Sequence, residues 1–343
     1  MTAKPNTDMT DTPPPGALRR WLGIYCDLSK ARLSAMVVAT TAVGFVISSR
    51  GQIDWLTLLF TVIGTTLAAA CANALNQQRE VARDARMIRT RNRPLPAGRL
   101  SGAHALIVGA VWGVIGIALL YRLANPLTAG LAAANIAIYV LLYTPAKSRS
   151  TLNTLIGAVV GAIPPMMGCA AATGHIGAIG WALGAVLFVW QVPHFLALAW
   201  MYREDYRRGG FRMLPVVDPE GRLTSRVVCM YCLLLSPTAV MLTLVGGAGW
   251  LYAFGSIVLG VWMLYLAAQL VQQRTDLRAR RVFLASLVYL PLLMGLMLID
   301  QIPADAAPNR FVNQQPSIRA HPADMTDAST RPPSPPKRLE SPT

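Results

Sequence analysis

Four polar residues that follow an apolar segment have the types and spacing of a metal site. They are Asn73, Asn76, Glu80 and Asp84, in a segment, residues 73–96, that is predicted to be helical. At about 100° per helical residue, they fall at roughly 0°, −60°, −20° and +20° and therefore share one face. Two amides and two carboxylates offer the oxygen ligands that suit Mg²⁺, with substrate phosphates and water completing its shell. The pattern predicts metal-assisted handling of a pyrophosphate at a membrane surface.

Arginines accompany these carboxylates. Six of them lie between Arg79 and Arg93, where they would face a polyanion. The competing interpretation is a solvated loop after a membrane span, the ordinary role of an Asp- and Arg-rich segment. The four-residue spacing of the carboxylates, continuous with amides at membrane depth, favours a site because buried polar groups are costly.

A second polar segment, residues 190–209, has a similar construction. It contains His194 within an apolar run and Asp205 at the end of that run. Their separation of eleven residues predicts a rotation of only ~20° and a rise of ~16 Å along one continuous helix. Asn73 and Asp84 have the same separation. The chain therefore resembles a parallel repeat, in which each half delivers one acidic helix end to a shared cavity that faces the cytoplasm.

The composition places these segments in a membrane protein. The chain has 343 residues, of which 54% are hydrophobic and 14% charged, which excludes an ordinary soluble domain. Nine apolar runs are long enough to cross about 30 Å of hydrocarbon. The runs are residues 33–49, 55–75, 103–121, 125–143, 153–172, 177–200, 227–246, 249–270 and 281–299. We predict an all-α polytopic protein with nine transmembrane helices.

The distribution of basic residues predicts the orientation. Lys and Arg concentrate in the N-terminal flank and in the loops after the second, fourth, sixth and eighth runs. By the positive-inside rule these regions are cytoplasmic, so an odd number of spans puts the C-terminus outside. The net charge of +15 thus reflects topology and substrate, and no nucleic-acid-binding motif accompanies it.

The composition of the sequence divides the chain into three regions. Residues 1–20 are predicted to be a disordered cytoplasmic segment, 21–302 the membrane domain, and 303–343 a disordered tail rich in Pro, Ser and Thr. The N-terminal segment lacks the apolar core of a secretory signal and is acidic and proline-broken, unlike a transit peptide. We therefore expect a bacterial inner membrane rather than a mitochondrial one.

Several motifs together resemble the UbiA superfamily of membrane-embedded aromatic prenyltransferases, and most closely its haem-farnesylating branch. The resemblance covers roughly residues 20 to 300 and implies a UbiA-type bundle of two similar four-helix halves plus one helix. The matching segments are the acidic motif Asn76, Glu80 and Asp84, the arginine and RPLP segment 89–98, the TP-x-K loop 143–147, the stretch 153–165, and the second motif 190–209 with Trp190, Pro193, Trp200 and Gly209.

The resemblance also implies substrates and the roles of residues. Farnesyl diphosphate would bind through Mg²⁺, and its farnesyl cation would be attacked by a vinyl group of haem b before water adds to give haem o. The implied metal ligands and catalytic residues are Asn76, Glu80, Asp84 and Asp205. The implied pyrophosphate-binding residues are Arg83, Arg89, Arg93 and Lys147, which would neutralise charge on the leaving group. A haem o oxygenase or terminal oxidase subunits would be further partners.

The haem end of the site is predicted from His194. A histidine well inside a span usually has a function, and its imidazole could ligate haem iron. The alternative is a histidine that only packs, hydrogen-bonded to Gln191 or to a neighbouring helix. Asn73 lies one turn deeper than the predicted metal ligands, which favours orientation of the substrate or support of the metal ligands over direct ligation. His194, Gln191 and Asn73 are therefore the candidate haem-binding residues.

Two other functions remain open. One is transfer of a longer prenyl chain to another aromatic acceptor such as 4-hydroxybenzoate. The enzymes of that branch do not share His194 and its neighbours. The second motif here has Tyr206 and Arg207 after Glu204 and Asp205, rather than the several acids of the wider superfamily. The other function is membrane transport, since many carriers have internal repeats and intramembrane polar residues. The carboxylates at one membrane face, rather than at the midplane, argue against transport.

The predicted topology can be tested with reporter fusions in the host membrane. Fusions expected to read cytoplasmic follow Leu100, Ser150 and Gly210. Fusions expected to read external lie near Gly51, His175 and Gly247. The physical reason is the clustering of positive charge in alternate loops. A cytoplasmic signal at His175 would contradict both the orientation and the number of spans.

Overall fold

The structure is a computed structural model that describes residues 16–303, with the side chains of residues 17 and 18 left out. The predictions of disorder fall outside those residues for 1–15 and for 304–343. In chain order the helices are α1 (Ala17–Ser29), α2 (Ala31–Ser49), α3 (Trp55–Asp84), α4 (Gly102–Leu123), α5 (Pro126–Ala137), a π-helical turn (Ile138–Tyr143), α6 (Thr144–Arg149), α7 (Asn153–Thr173), α8 (Gly177–Met201), α9 (Arg203–Arg208), α10 (Leu214–Val217), α11 (Arg222–Leu244), α12 (Trp250–Gln272) and α13 (Asp276–Ile299).

Nine helical segments among the described residues are long and apolar enough to cross a membrane. They are α2, α3, α4, the segment from α5 to α6, α7, α8, α11, α12 and α13. The predicted all-α fold with nine spans is therefore confirmed. Large apolar side chains such as Leu251, Phe254 and Val261 are exposed on the outer surface, as expected for helices that face lipid. The chain is a multi-pass membrane protein.

The fourth span is irregular next to the predicted site. Its π-helical turn, residues 138–143, precedes Pro145, which has no N–H to continue the helical ladder. Two carbonyls of this turn accept side-chain hydrogen bonds. The hydroxyl of Thr144 donates to the Tyr139 carbonyl at 2.8 Å, and the Arg79 guanidinium donates to the Val140 carbonyl at 3.0 Å. The turn is thereby tied to α3, the helix that carries the acidic motif.

Two helices end earlier than the sequence predicted. The segment 73–96 is helical only as far as Asp84, and turns follow. The continuous helix predicted from His194 to Asp205 is also wrong, because α8 ends at Met201 and Tyr202 leaves the helical conformation with φ −111° and ψ 21°. The guanidinium of Arg203 donates to the carbonyl of Trp200, which satisfies the end of α8. The expected rotation of ~20° and rise of ~16 Å along one helix therefore do not apply.

Helix α1 also begins earlier than expected. Residues 17–20, which were assigned to the disordered N-terminal segment, lie in its first turn. Arg19, Arg20 and Trp21 are exposed on this helix, whereas Ile24 and Leu28 pack against α3 and α4. One side of α1 packs on the helix bundle and the other exposes arginine together with Trp21, which predicts a helix that lies along the membrane surface.

Helices α2 and α7 cross closely at two glycines. A Cβ atom on Gly44 would lie 2.3 Å from the Pro165 carbonyl oxygen, and one on Gly168 would lie 1.9 Å from the Thr41 carbonyl oxygen. Only glycine allows the two backbones to approach this closely, as at other helix crossings in membranes. A larger apolar core joins α8 with α11, α12 and α13. The crossing of α2 and α7 links this core to the helices of the acidic motif.

We predict that Gly168→Ala lowers the stability of the folded protein. The added methyl group must force α2 away from α7, and such overpacking costs typically about 1–3 kcal/mol. Thermal unfolding of the purified protein in detergent measures the effect. Gly130→Ala is the matched control, because a Cβ there meets nothing within 4 Å, and its unfolding temperature should stay the same or rise. An unchanged unfolding temperature for Gly168→Ala would contradict the close crossing.

Candidate functional site

The acidic motif forms one buried face at the end of α3. Asn76, Glu80 and Asp84 are 0%, 4% and 2% exposed, and Asn73, one turn earlier, is buried with them. The common face predicted from the spacing is therefore present. Buried carboxylates need a partner, because an unpaired charge away from water is strongly disfavoured.

Each of the three side chains has one cationic partner. Lys30 Nζ donates to Asn76 Oδ1 at 3.2 Å, Lys147 Nζ lies 2.5 Å from Glu80 Oε1, and Arg93 Nη1 donates to Asp84 Oδ2 at 2.7 Å. The three cations come from three separate segments of the chain. Lys147 and Arg93 were predicted as site residues. Lys30 was not, and its sequence neighbours gave no signal for it.

Lys30 lies in the junction between α1 and α2 with a left-handed backbone, φ 49° and ψ 51°. Residues with a Cβ rarely adopt this conformation, and it persists only where the surrounding structure holds it. Here α3 holds it. The amide of Gln77 donates to the carbonyls of Asp27 and Leu28, at 3.1 Å and 2.7 Å, and the Asn73 amide donates to that of Ser29 at 3.0 Å. The end of α1 is thus bound to the acidic face.

The Asn73 amide also donates to the hydroxyl of Ser34 at 3.1 Å. Both of its contacts go to the α1–α2 segment, so Asn73 stabilises that segment. The amide of Asn76 donates to the Thr144 hydroxyl at 3.0 Å, which joins α3 to α6. The sequence predicted no role for Gln77, because a buried amide has no distinctive spacing in a membrane helix, and Thr144 was identified only as part of the TP-x-K segment.

Lys147 extends from α6 into an aromatic environment. Its Nζ lies 4.9 Å from the ring centroid of Tyr143 and 5.4 Å from that of Phe211, in addition to its ion pair with Glu80. Its carbonyl accepts a hydrogen bond from the backbone N–H of Arg212 at 2.7 Å. The segment after α9 thereby forms one wall of the site. Phe211, like Gln77, could not be identified from its position in the sequence.

Asp205 binds the turns that follow α3. Its carboxylate accepts hydrogen bonds from the backbone N–H groups of Ile88 and Arg89, at 3.1 Å and 3.0 Å. The same turns carry Arg93 to Asp84, and the Thr90 hydroxyl donates to the Asp84 carbonyl at 2.8 Å. Asp205 therefore lies at the site, and its observed contacts fix the backbone that presents Arg93.

The other predicted arginines rest on aromatic rings. The Arg83 guanidinium lies 5.6 Å from the Phe211 ring centroid. That of Arg89 lies 5.0 Å and 5.8 Å from the rings of Tyr202 and Tyr206, and it donates to the Tyr206 hydroxyl at 3.3 Å. Burial raises the pKa of Tyr206, so its hydroxyl stays protonated. Arg83 and Arg89 therefore lie at the rim of the site, each in contact with an aromatic ring.

The electrostatics of the cluster favour an incoming anion. Burial, together with the positive charges of Arg93 and Lys147, lowers the pKa of Lys30 to about 7, and Glu80 and Asp84 only partly offset this. The cations therefore crowd one another. A polyanion that entered here would relieve this repulsion while contacting several of them.

The acidic side chains alone do not assemble a metal centre. Within residues 16–303 no three acidic, His or Cys side chains converge closely enough to hold a metal ion. The donor set still fits Mg²⁺, which binds one or two carboxylates and takes its other ligands from amide, water and substrate oxygens. Glu80 Oε1 supports this fit. It is buried, and its one partner among the described residues is the ammonium of Lys147, so it accepts no hydrogen bond from a neutral donor.

The predicted haem residues lie mainly on α8. His194 is 8% exposed, its Nδ1 is 2.8 Å from the Ser286 hydroxyl on α13, and its ring stacks on Trp190 with centroids 4.9 Å apart. Trp190 Nε1 donates to the Ser286 carbonyl at 3.0 Å. Ser286 was missed, because nothing near it in the sequence suggests chemistry. The contact with α13 matches the packing role that was weighed for His194 and fixes the ring by one nitrogen.

Gln191 lies one turn before Phe195 on the same helix and contacts α7. A Cβ on Gly161 would lie 1.9 Å from Gln191 Nε2, so the glycine makes room for this amide. No hydrogen bond among the described residues joins Gln191, His194 and Asn73. The structure therefore places two of the three on α8 and the third beside α1, and their role in binding haem stays a prediction.

Comparison with known proteins agrees with this architecture. Residues 37–290 match the UbiA prenyltransferase family. A protoheme IX farnesyltransferase from Solibacter usitatus is 43% identical over 286 residues, which cover 81% of this chain and 98% of the relative. A solved digeranylgeranylglyceryl phosphate synthase has a TM-score of 0.70 at 17% identity and covers 82% of this chain and 99% of its own.

A second solved structure has the same fold. It is a UbiA homolog from Archaeoglobus fulgidus bound to GPP and Mg²⁺, with a TM-score of 0.56 at 13% identity, covering 80% of this chain and 99% of its own. At such identities the likeness shows the fold alone. The family match and the relative at 43% identity carry more, since they span most of both chains. The chain belongs to the UbiA prenyltransferase family.

Proposed function

We propose that this chain transfers the farnesyl group of farnesyl diphosphate to a vinyl group of haem b, with addition of water, to give haem o. Relatives that are over 40% identical to this chain in the aligned region, which covers nearly their whole length, are named protoheme IX farnesyltransferases. The observation that carries the proposal is the buried face of α3. There, three oxygen-bearing side chains and three cations converge at the end of a membrane helix.

Mg²⁺ is the metal that suits this face. Asn76, Glu80 and Asp84 would hold it, and bound Mg²⁺ would supply positive charge against a leaving diphosphate. The structure of the Archaeoglobus fulgidus homolog with GPP and Mg²⁺ supports this choice of metal. For Asp205, the contacts with Ile88 and Arg89 favour support of the adjoining turns. A direct bond from Asp205 to the metal stays a prediction.

The cations of the site would bind the diphosphate. Lys147 and Arg93 lie on the acidic face, and Arg83 and Arg89 lie on aromatic rings at its rim. Positive groups that are fixed in advance stabilise the charge that develops as the bond to the leaving group breaks. Apolar helices around the site would exclude water from the farnesyl cation until the vinyl group attacks.

The acceptor end of the site rests on α8. The Nδ1 of His194 is engaged by Ser286, which orients the ring and leaves Nε2 as the atom available to a ligand. Trp190 stacks on the same imidazole. Gln191 and Asn73 complete the set that we propose for haem. This assignment is what separates haem from a smaller aromatic acceptor.

The same proposal gives a cellular setting. The predicted orientation places the acidic motif of α3 on the cytoplasmic side of a bacterial inner membrane, with the lipid bilayer around it. Farnesyl diphosphate would then approach from the cytoplasm. The product, haem o, implies that a haem o oxygenase or terminal oxidase subunits consume it.

We predict that Asp84→Asn nearly abolishes product formation while the protein remains folded. The substitution removes the charge that holds Arg93 and weakens the binding of Mg²⁺. The measurement is mass analysis of haem after purified protein is incubated with haem b, farnesyl diphosphate and Mg²⁺, and EDTA should stop the wild-type reaction. Glu220→Gln, an exposed acid outside the site, is the control and should keep full activity. Farnesylation of haem in EDTA would contradict the metal assignment, and no haem o in any condition would contradict the function.

We predict that His194→Ala weakens binding of haem b and stops haem o formation, while farnesyl diphosphate is still retained. The two effects separate because the diphosphate binds at α3 and the haem at α8. Haem absorbance titration and retention of radiolabelled farnesyl diphosphate are the measurements. His175→Ala, at an exposed histidine, is the control. A variant that loses stability and both affinities together would show that His194 serves only in packing.

A further inference from the structure

Lys30 reaches the acidic face from the junction of α1 and α2, outside the segments that were predicted to bind metal or diphosphate. It is 46 residues from Asn76 along the chain, yet its ammonium donates to the Asn76 side-chain carbonyl. The corresponding partners of Glu80 and Asp84 are Lys147 and Arg93. Each proposed metal ligand on α3 therefore holds one cation, and each cation comes from a different segment.

The position of Lys30 is specifically built. Its left-handed backbone, φ 49°, is one of two such non-glycine conformations among the described residues. Asn73 and Gln77, on either side of Asn76, bind the last carbonyls of α1. Strain of this kind persists only where its surroundings over-determine it, and it is concentrated at functional sites. The strained junction and its hydrogen bonds orient the Lys30 ammonium toward the side-chain amide of Asn76, which is also a proposed metal ligand.

A metal ion and these cations compete for the same oxygens. A divalent ion on Asn76, Glu80 and Asp84 would lie next to three positive side chains, and like charges at such distances repel strongly. A diphosphate removes the conflict, because its oxygens accept the hydrogen bonds that the displaced cations give up. Metal and diphosphate should therefore each raise the affinity of the site for the other, by the same factor.

We propose that Lys30 is a positioning residue that holds the Asn76 carbonyl and yields it to the metal only when diphosphate arrives, so that metal and diphosphate bind together. This inference rests on the proposed metal site of α3 and adds to it a gate on metal entry. Its consequence is that the metal alone binds weakly, and that removal of the Lys30 charge makes such binding stronger.

The test is a titration of the purified full-length protein with Mn²⁺, followed by electron paramagnetic resonance, with and without inorganic pyrophosphate. For the wild type, pyrophosphate should tighten Mn²⁺ binding by at least about tenfold, within the usual range of coupling between two ligands. For Lys30→Met, Mn²⁺ alone should bind several-fold tighter, and the enhancement by pyrophosphate should fall by about fivefold or more. Methionine keeps the unbranched shape of lysine, so the backbone strain is unchanged.

Two further variants make the result specific. Arg32→Met removes the same charge from an exposed residue two positions away and should bind Mn²⁺ like the wild type. Lys30→Arg restores a cation and should restore the weak binding of Mn²⁺ alone. If Lys30→Met does not fold, as judged by its thermal unfolding, Lys30→Gln removes the charge with a side chain that can still donate to Asn76, and it carries the same expectation.

The outcomes distinguish this inference from the proposed function. If the wild type binds Mn²⁺ with pyrophosphate, Asp84→Asn abolishes that binding, and Lys30→Met matches the wild type, the metal site stands and the role of Lys30 is overturned. Wild-type protein that binds Mn²⁺ equally well with and without pyrophosphate overturns it too. If Mn²⁺ binds under neither condition, both the metal site and the inference fail.

Discussion

The arrangement of this protein depends on the need to pair charges that α3 buries at its end. Glu80 and Asp84 lie almost fully out of water, and a carboxylate there is tolerable only beside a cation. Lys147 and Arg93 supply those charges from α6 and from the turns after α3. The neighbouring segments are therefore held in place by the same contacts that would later be used on a substrate.

The irregular parts of the backbone gather around these pairs. The π-helical turn before α6, the left-handed junction at Lys30 and the break at Tyr202 all lie in segments that contact the site. Elsewhere the described spans are ordinary helices, some with internal prolines. Departures from regular structure at a site are expected where geometry for ligands outweighs the local preference of the chain. Here they bring three cations to one helix face.

The two ends of the proposed reaction differ in how they are built. The diphosphate end is a network of charges that spans α1 to α6 and is closed by residues 205–212. The acceptor end is an aromatic and apolar contact between α8 and α13, where Ser286 fixes His194. Helices α2 and α7, which cross closely at Gly44 and Gly168, each contact both α3 and α8. This separation allows each end to be altered and measured without the other.

The sequence by itself determined the nine spans and the common face of Asn76, Glu80 and Asp84, because hydrophobic length and helical periodicity are local properties. The motif resemblance added Lys147 and Arg93. Only the tertiary structure decided the roles of Lys30 and Ser286 and the break after α8. Their contacts join segments tens of residues apart, and they arise where buried polar groups find partners across helices. No local pattern encodes which distant side chain will satisfy them.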